Sequence, residues 1–387
     1  MKKLLFLLLA LICMSTTASA AKVICGDERT DVWVPMLRGK KVCLLTNYTA
    51  TINGKHLIDV MLEKGINLVA IATPEHGLSG KASAGAKIAS STYKDTGIPV
   101  WSLYGKTRRM TPEQAEQFDV LVFDIQDVGV RFFTYYVTML WTFDALAEKG
   151  KRLIVFDRPN PNGMYVDGPI LEEKHKSFIG GIPIPVVHGL TMGELAQMAV
   201  GEGWVPKIDV EVVCCQNYTH QTRYQLPVKP GPNVRTMQAV YLYPSTCLIE
   251  GTVFSEARGT DFGFEAYGHP DIAPTGFSYT PRSIEGAKNP KHQDKLCHGV
   301  DLRKVPKKQI IKEGFTVKYV IDAYNRYGKG EELFAGSRKH FFHRLVGVDY
   351  IYEMIIAGKS ADEIKAMWKD EVEKFKVLRR KYLLYEE

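Results

Sequence analysis

The chain has few cysteines, seven in 387 residues, and their spacings fit neither a disulfide framework nor a zinc site. The adjacent Cys214 and Cys215 lie in an apolar, strand-like run, which predicts buried thiols. Beyond an opening apolar run, no stretch is long and apolar enough to cross a bilayer. There is no internal repeat, no low-complexity segment and no concentrated basic stripe, so a nucleic-acid partner is not expected. Gly-x-Gly-x-x-Gly does not follow the first strand, and there is no P-loop, which argues against a dinucleotide or nucleoside triphosphate. A Gly-x-Ser-x-Gly elbow for a nucleophilic serine is also missing. His76, His188, Asp124 and Asp127 are metal-ligand types, but no His-x-x-x-His or similar spacing gathers them. The expectation is an activity with no cofactor and no metal.

What is present begins with a leader. Lys2 and Lys3 precede the apolar run Leu4 to Met14, and small residues end in Ala18-Ser19-Ala20, the order of a secretory signal cleaved after Ala20. Cleavage removes those two lysines and no acid, so the formal charge of +7 falls to +5. The mature chain is expected to be exported, periplasmic or secreted, with a mild positive excess suited to an anionic envelope. Its length suggests two domains rather than one core.

From Lys41 strands and helices alternate. Val42 to Thr46, Leu68 to Thr73, Ile98 to Leu103, Asp119 to Phe123, Leu153 to Phe156 and Val210 to Cys215 read as strands. Helical spacing fills His56 to Lys64 and Phe133 to Glu148. Capping boxes at Thr111–Gln114 and Thr191–Glu194 open two more helices. This predicts an α/β, Rossmann-like parallel sheet with helices on both faces, over residues 21–205. Residues 206–387 predict a smaller mixed α+β domain. Its long Gly- and Pro-rich loops face the substrate, and helices close it over Thr316 to Tyr327, Val348 to Ile356 and Ser360 to Tyr382.

The chemistry concentrates where strands end. Leu68 to Thr73 is apolar throughout, and Pro74 stops it, which leaves Glu75 and His76 just past its carboxyl end, where open α/β sheets bind ligands. Two more polar clusters follow strands: Asp124, Gln126, Asp127 and Arg131, then Asp157, Arg158 and Asn160. His188 stands before a helix. Each alone reads as turn chemistry, but several at neighbouring strand ends predict one cleft. Carboxylates, arginines and amides together suit a sugar, with Trp101, Tyr104, Tyr135 and Tyr136 available to stack on it. Glycosidic cleavage needs a carboxylic acid and commonly a second carboxylate. Glu75 is the first choice, with Asp124, Asp127 and Glu256 as candidate partners. Glu194 reads as the capping partner of Thr191. A cell-wall-sugar binding protein without catalysis and a metal-dependent hydrolase are the alternatives.

Several motifs then agree in order: Pro74-Glu75-His76-Gly77, Ser102-Leu103-Tyr104-Gly105, Phe123 to Gly129 with Arg131, and Asp157-Arg158-Pro159-Asn160-Pro161. His188-Gly189-Leu190-Thr191 and Glu250-Gly251-Thr252 leading to Arg258-Gly259-Thr260 continue the series. Together they resemble the exo-lytic β-N-acetylmuramidases, glycosidases of peptidoglycan turnover, from about residue 38 to Tyr385. The resemblance implies a Rossmann-like domain joined to a smaller one with the site between them. It also implies cofactor-free release of N-acetylmuramic acid from the non-reducing ends of muropeptide-derived glycans. Glu75 would be the catalytic residue, assisted by Asp124 or Asp127. His76, Gln126, Arg131, Asp157, Arg158, Asn160, His188, Asn233, Glu256 and Arg258 would hold the sugar, its lactyl carboxylate or its N-acetyl group. Two departures fall in the C-terminal loops: Gly231 replaces a Ser, and Ala257 replaces a Gly. Since Ala resists positive φ, the second predicts a differently shaped loop.

Overall fold

The computed structural model describes residues 21–387, with only the backbone of Asp95; the expected leader, residues 1–20, lies outside the described residues. Seven strands pair into one sheet: β1 Lys41–Thr46, β2 Asn67–Thr73, β3 Ser91–Tyr93, β4 Ile98–Ser102, β5 Val120–Asp124, β6 Arg152–Phe156 and β7 Val210–Val213. Their order is β3-β4-β2-β1-β5-β6-β7, parallel throughout except for the antiparallel β3–β4 edge. Strand order reverses at β1, between β2 and β5, and opens a crevice at the carboxyl ends.

The interior residues of the central strands β1, β2, β5 and β6 are nearly all apolar because both faces are covered. Val42 and Leu44 point to one core, with Trp33 and Leu37 of α1 (Thr30–Leu37) and Ile58 and Met61 of α2 (Leu57–Glu63). Cys43 and Leu45 point to the other, with Met139 of α3 (Tyr135–Leu140), Leu146 of α4 (Phe143–Glu148) and Leu195 of α5 (Met192–Gly201). The helix expected over Phe133 to Glu148 is thus two, and the one expected over Ser360 to Tyr382 divides into Ala361–Ala366, Lys369–Arg379 and a short 3₁₀ turn. The capping boxes at Thr111, Thr191 and Ser360 all form.

β7 lies beyond residue 205, so the sheet runs further along the chain than that boundary. The smaller C-terminal part carries α6 (Met237–Thr246), an antiparallel sheet of β8 (Ala266–His269), β9 (Ser278–Tyr279) and β10 (Cys297–Asp301) in the order β8-β10-β9, and α7 (Arg338–Val346) among further helices. Among the described residues no helix is long and apolar enough to cross a membrane.

The two parts share one continuous core, in which Val240, Leu248, Phe342 and Leu345 join Phe123 and Tyr136. Arg131 fastens them. It is fully buried, and its guanidinium donates to the carbonyls of Pro169 and Ile184 on one side and of Leu345 and Val346 on the other. Gly347 follows in the left-handed region (φ 82°), and a Cβ there would lie 2.5 Å from Arg131 Nη2. Only glycine permits both the turn and the approach.

Candidate active site

β2 ends at Thr73, and Pro74 turns the chain so that Glu75 enters a cavity between the two parts, with a volume of about 230 Å³. Its carboxylate is nearly buried and held at both oxygens. Oε1 accepts from the Gly85 amide at 2.8 Å and Oε2 from the Thr134 hydroxyl at 3.0 Å. The Tyr104 phenol also lines the cavity; burial, and then the charge of Glu75, push its pKa up to about 12, so it stays a protonated donor.

His76 takes a left-handed conformation (φ 69°), a strain of the kind found at functional sites. Its Nδ1–H donates to the Ala82 carbonyl at 2.7 Å, which leaves Nε2 as an acceptor. Burial lowers the pKa of the ring, outweighing the charge of Glu75. A neutral imidazole beside the carboxylate results.

The far wall comes from the C-terminal part, with Asn233, Tyr243, Glu250, Arg258 and Phe264. Arg258 Nη2 donates to Glu250 at 2.8 Å, and Nε pairs with Glu256 at 3.1 Å. Ala257 does adopt positive φ (59°). Its amide bonds to Ser255 Oγ and its carbonyl accepts from the Thr260 hydroxyl, so the resistance of alanine to positive φ, the reason for expecting a different loop, is overcome here. These bonds offset a left-handed cost of about 1–2 kcal/mol.

With this geometry in view, residues 42–238 match the family described as "Exo-beta-N-acetylmuramidase NamZ, N-terminal", and residues 241–385 match its C-terminal counterpart. The chain belongs to the NamZ family. It is 39% identical to the peptidoglycan β-N-acetylmuramidase NamZ of Bacillus subtilis (strain 168), an alignment covering 95% of this chain and 93% of that protein. Two crystal structures of DUF1343 family proteins from Bacteroides fragilis NCTC 9343 share the fold. One is 48% identical (TM-score 0.87, 95% of this chain and 100% of that one), the other 29% identical (TM-score 0.81, 94% and 99%).

Of the site residues expected from the sequence, four line the cavity: Glu75, His76, Asn233 and Arg258. The others point into the protein. Asp124 is bound at both oxygens by Arg158, whose Nη2 also reaches Asp27 at 2.5 Å, all three buried. Burial, with Asp124 beside it, holds Asp27 at about 7 despite Arg158. Gln126 donates to the carbonyls of Asp127 and Pro159, and Asn160 braces the Leu190 carbonyl and the Asn162 amide. Asp157 accepts from the Gly193 amide and the Tyr385 hydroxyl, and burial pushes it up to about 6. His188 accepts from the Leu190 amide and is held neutral, its pKa lowered by burial to about 3. Glu256 meets both Arg258 and Lys291, which hold its carboxyl low in spite of burial. Arg131 is the fastener already described. Glu194 caps Thr191 and also meets His220 at 3.0 Å.

Asp127 lies outside the cavity as well. Its Oδ1 accepts from Gly129, Oδ2 has no partner among the described residues, and burial pushes its pKa from 3.8 to about 7. A raised carboxyl pKa favours folding below the unfolded value, and that contribution is lost as pH rises through 7. Asp127→Asn mimics the protonated form. Thermal unfolding should show it matching the parent below about pH 4, pulling ahead as pH rises from 4 to 7, and gaining roughly 5 °C at pH 8.

Glu250 and Thr134 were not singled out as site residues. Thr134 is the residue just before α3, within a run that reads as apolar helix. Glu250 lies in a 3₁₀ segment, and its one signal was the Glu250-Gly251-Thr252 match to the family.

Proposed function

We propose that the chain is an exo-β-N-acetylmuramidase, releasing N-acetylmuramic acid from the non-reducing ends of peptidoglycan-derived glycans, with the Glu75 cavity as its catalytic site. Membership of the NamZ family makes it a glycoside hydrolase. The observation that carries the site assignment is a carboxylate held at both oxygens inside a cavity that a second carboxylate, Glu250, also lines. The volume falls below the roughly 300–1,000 Å³ of most ligand pockets and suits one terminal sugar, as an exo-acting enzyme requires.

In this reading Glu75, carrying a proton in the substrate complex, gives it to the leaving glycosidic oxygen, and a water supplies the new hydroxyl of the released sugar and returns a proton to the site. Glu250, oriented by Arg258, takes the part of the second carboxylate. His76 Nε2 and the Tyr104 hydroxyl bind ring substituents. Arg258 has two nitrogens engaged by Glu250 and Glu256, and Nη1 remains for the lactyl carboxylate that distinguishes muramic acid from N-acetylglucosamine. Muropeptides are the partners and the cell envelope the setting, reached through the leader.

Hydrolysis of a chromogenic N-acetylmuraminide, with the matching glucosaminide inert, is the expected result. Binding of muropeptide without release of sugar would replace the enzyme by a binding protein. Arg258→Lys should raise KM for the muraminide at least tenfold, with a smaller change in kcat, because an ammonium cannot serve three oxygens in one plane. An unchanged KM would remove Arg258 from lactyl recognition.

A further inference from the structure

The first described strand-like segment and the chain beyond β7 meet at one antiparallel bridge. Ile24 and Gln216 exchange both backbone bonds, Ile24 N to Gln216 O at 3.1 Å and Gln216 N to Ile24 O at 2.8 Å. In antiparallel pairing the next position inward on each side is a pair whose amides point away from each other. Here that pair is Cys25 and Cys215. Their amides do point away, Cys25 N–H to Glu28 Oε2 and Cys215 N–H to the Tyr385 hydroxyl. Such pairs bring Cα atoms to about 4.5 Å, inside the span of about 4.4–6.8 Å that a disulfide bridges. Both side chains are buried, and both are free thiols in this structure, the Cys25 thiol against the Tyr224 hydroxyl and the Cys215 thiol against the Asp157 carbonyl.

We infer that Cys25 and Cys215 are a disulfide site, oxidised in the exported protein and fastening the amino-terminal segment to the edge of the sheet. Cys214, Cys43, Cys247 and Cys297 remain thiols. The step needs a disulfide of glutathione type, or a disulfide oxidoreductase, as oxidant. One thiolate attacks it to form a mixed disulfide and releases the first reduced thiol. The second cysteine then displaces the other thiol, so two S–H bonds and one S–S bond break while one S–S bond and two S–H bonds form. Burial raises the Cys215 thiol well above its usual range, so attack in the folded state is slow and the bond forms during folding.

The link has a purpose beyond the edge. Cys25 stands two residues before Asp27, the acid that shares Arg158 with Asp124, so the bond holds Asp27 in that buried triad. It also covers the end of β7, an edge strand that would otherwise be open to another chain.

The test is refolding of the full mature chain in mixed reduced and oxidised glutathione, trapping free thiols by alkylation, and mapping linked peptides by mass spectrometry without reduction. A single linked pair, Cys25 with Cys215, and four alkylated cysteines is the expected result. Six alkylated cysteines, or a bond through Cys214, overturns the assignment. Dithiothreitol should then lower the Tm of the oxidised protein by several degrees, and leave unchanged that of the variant with Cys25→Ser and Cys215→Ser. Serine there keeps the contacts now made with the Tyr224 hydroxyl and the Asp157 carbonyl, so the variant folds. An equal fall in both proteins overturns the role as a staple.

Discussion

Glu75→Gln is expected to lower kcat for N-acetylmuraminide cleavage by about 10³-fold, within the range of about 10²–10⁴ that a positioned acid contributes. The substitution keeps the volume of the side chain, and its carbonyl oxygen still accepts the bond from the Gly85 amide. Stability and sugar binding should therefore change little, and KM should stay within a few-fold of the parent value. The amide cannot give up a proton to the leaving oxygen, and the loss falls on kcat alone. Steady-state kinetics beside a thermal melt separates this from a folding defect. Retention of the parental rate would move the chemistry to another group in the cavity, with Glu250 next to be replaced.

Arg131→Ala carries the largest expected cost in stability. The guanidinium is fully buried and serves four carbonyls, and among the described residues no carboxylate is bonded to it. Burial lowers its pKa from 12.5 only to about 10, so it remains charged. Truncation leaves four acceptors without donors and a void between the two parts. A loss of roughly 3–5 kcal/mol follows, to be read from urea unfolding at neutral pH. Arg131→Lys should recover only part of it, because an ammonium has three donors on a compact head. If Arg131 were instead a sugar ligand, the alanine variant would melt like the parent and show only a raised KM.

The sheet was legible because its signals are local. A run such as Leu68 to Thr73 stopped by proline carries its own start, end and burial, and the capping boxes at Thr191 and Ser360 fix where helices begin. Glu75 was legible for the same reason: its position depends on β2 alone. The remaining polar clusters were not, because a carboxylate past a strand end has the same pattern whether it faces a cavity or a buried partner. What directs Asp124 inward is Arg158 together with Asp27, and what directs Arg131 inward is the carbonyls of Leu345 and Val346. No spacing rule links positions so far apart. Glu250 shows the converse, a cavity residue in a segment without period. Ala257 adopts the backbone angle that its side chain resists because Ser255 and Thr260 bond its amide and carbonyl.

The bonds of Arg131 bear on how the two halves of such a chain can evolve. An arginine from the sheet half that serves carbonyls of the helical half is a dependency written into the backbone, not into matching side chains. Recombination between distant relatives near residues 238–241, where the two family descriptions meet, would preserve each half's local sequence. It would still fail wherever the donor half turned its last helical residues by one position or lacked Gly347. Shuffled chimeras should therefore survive when they inherit the arginine and the glycine-terminated turn as a unit, and substrate-contacting loops should be the more freely exchanged cargo.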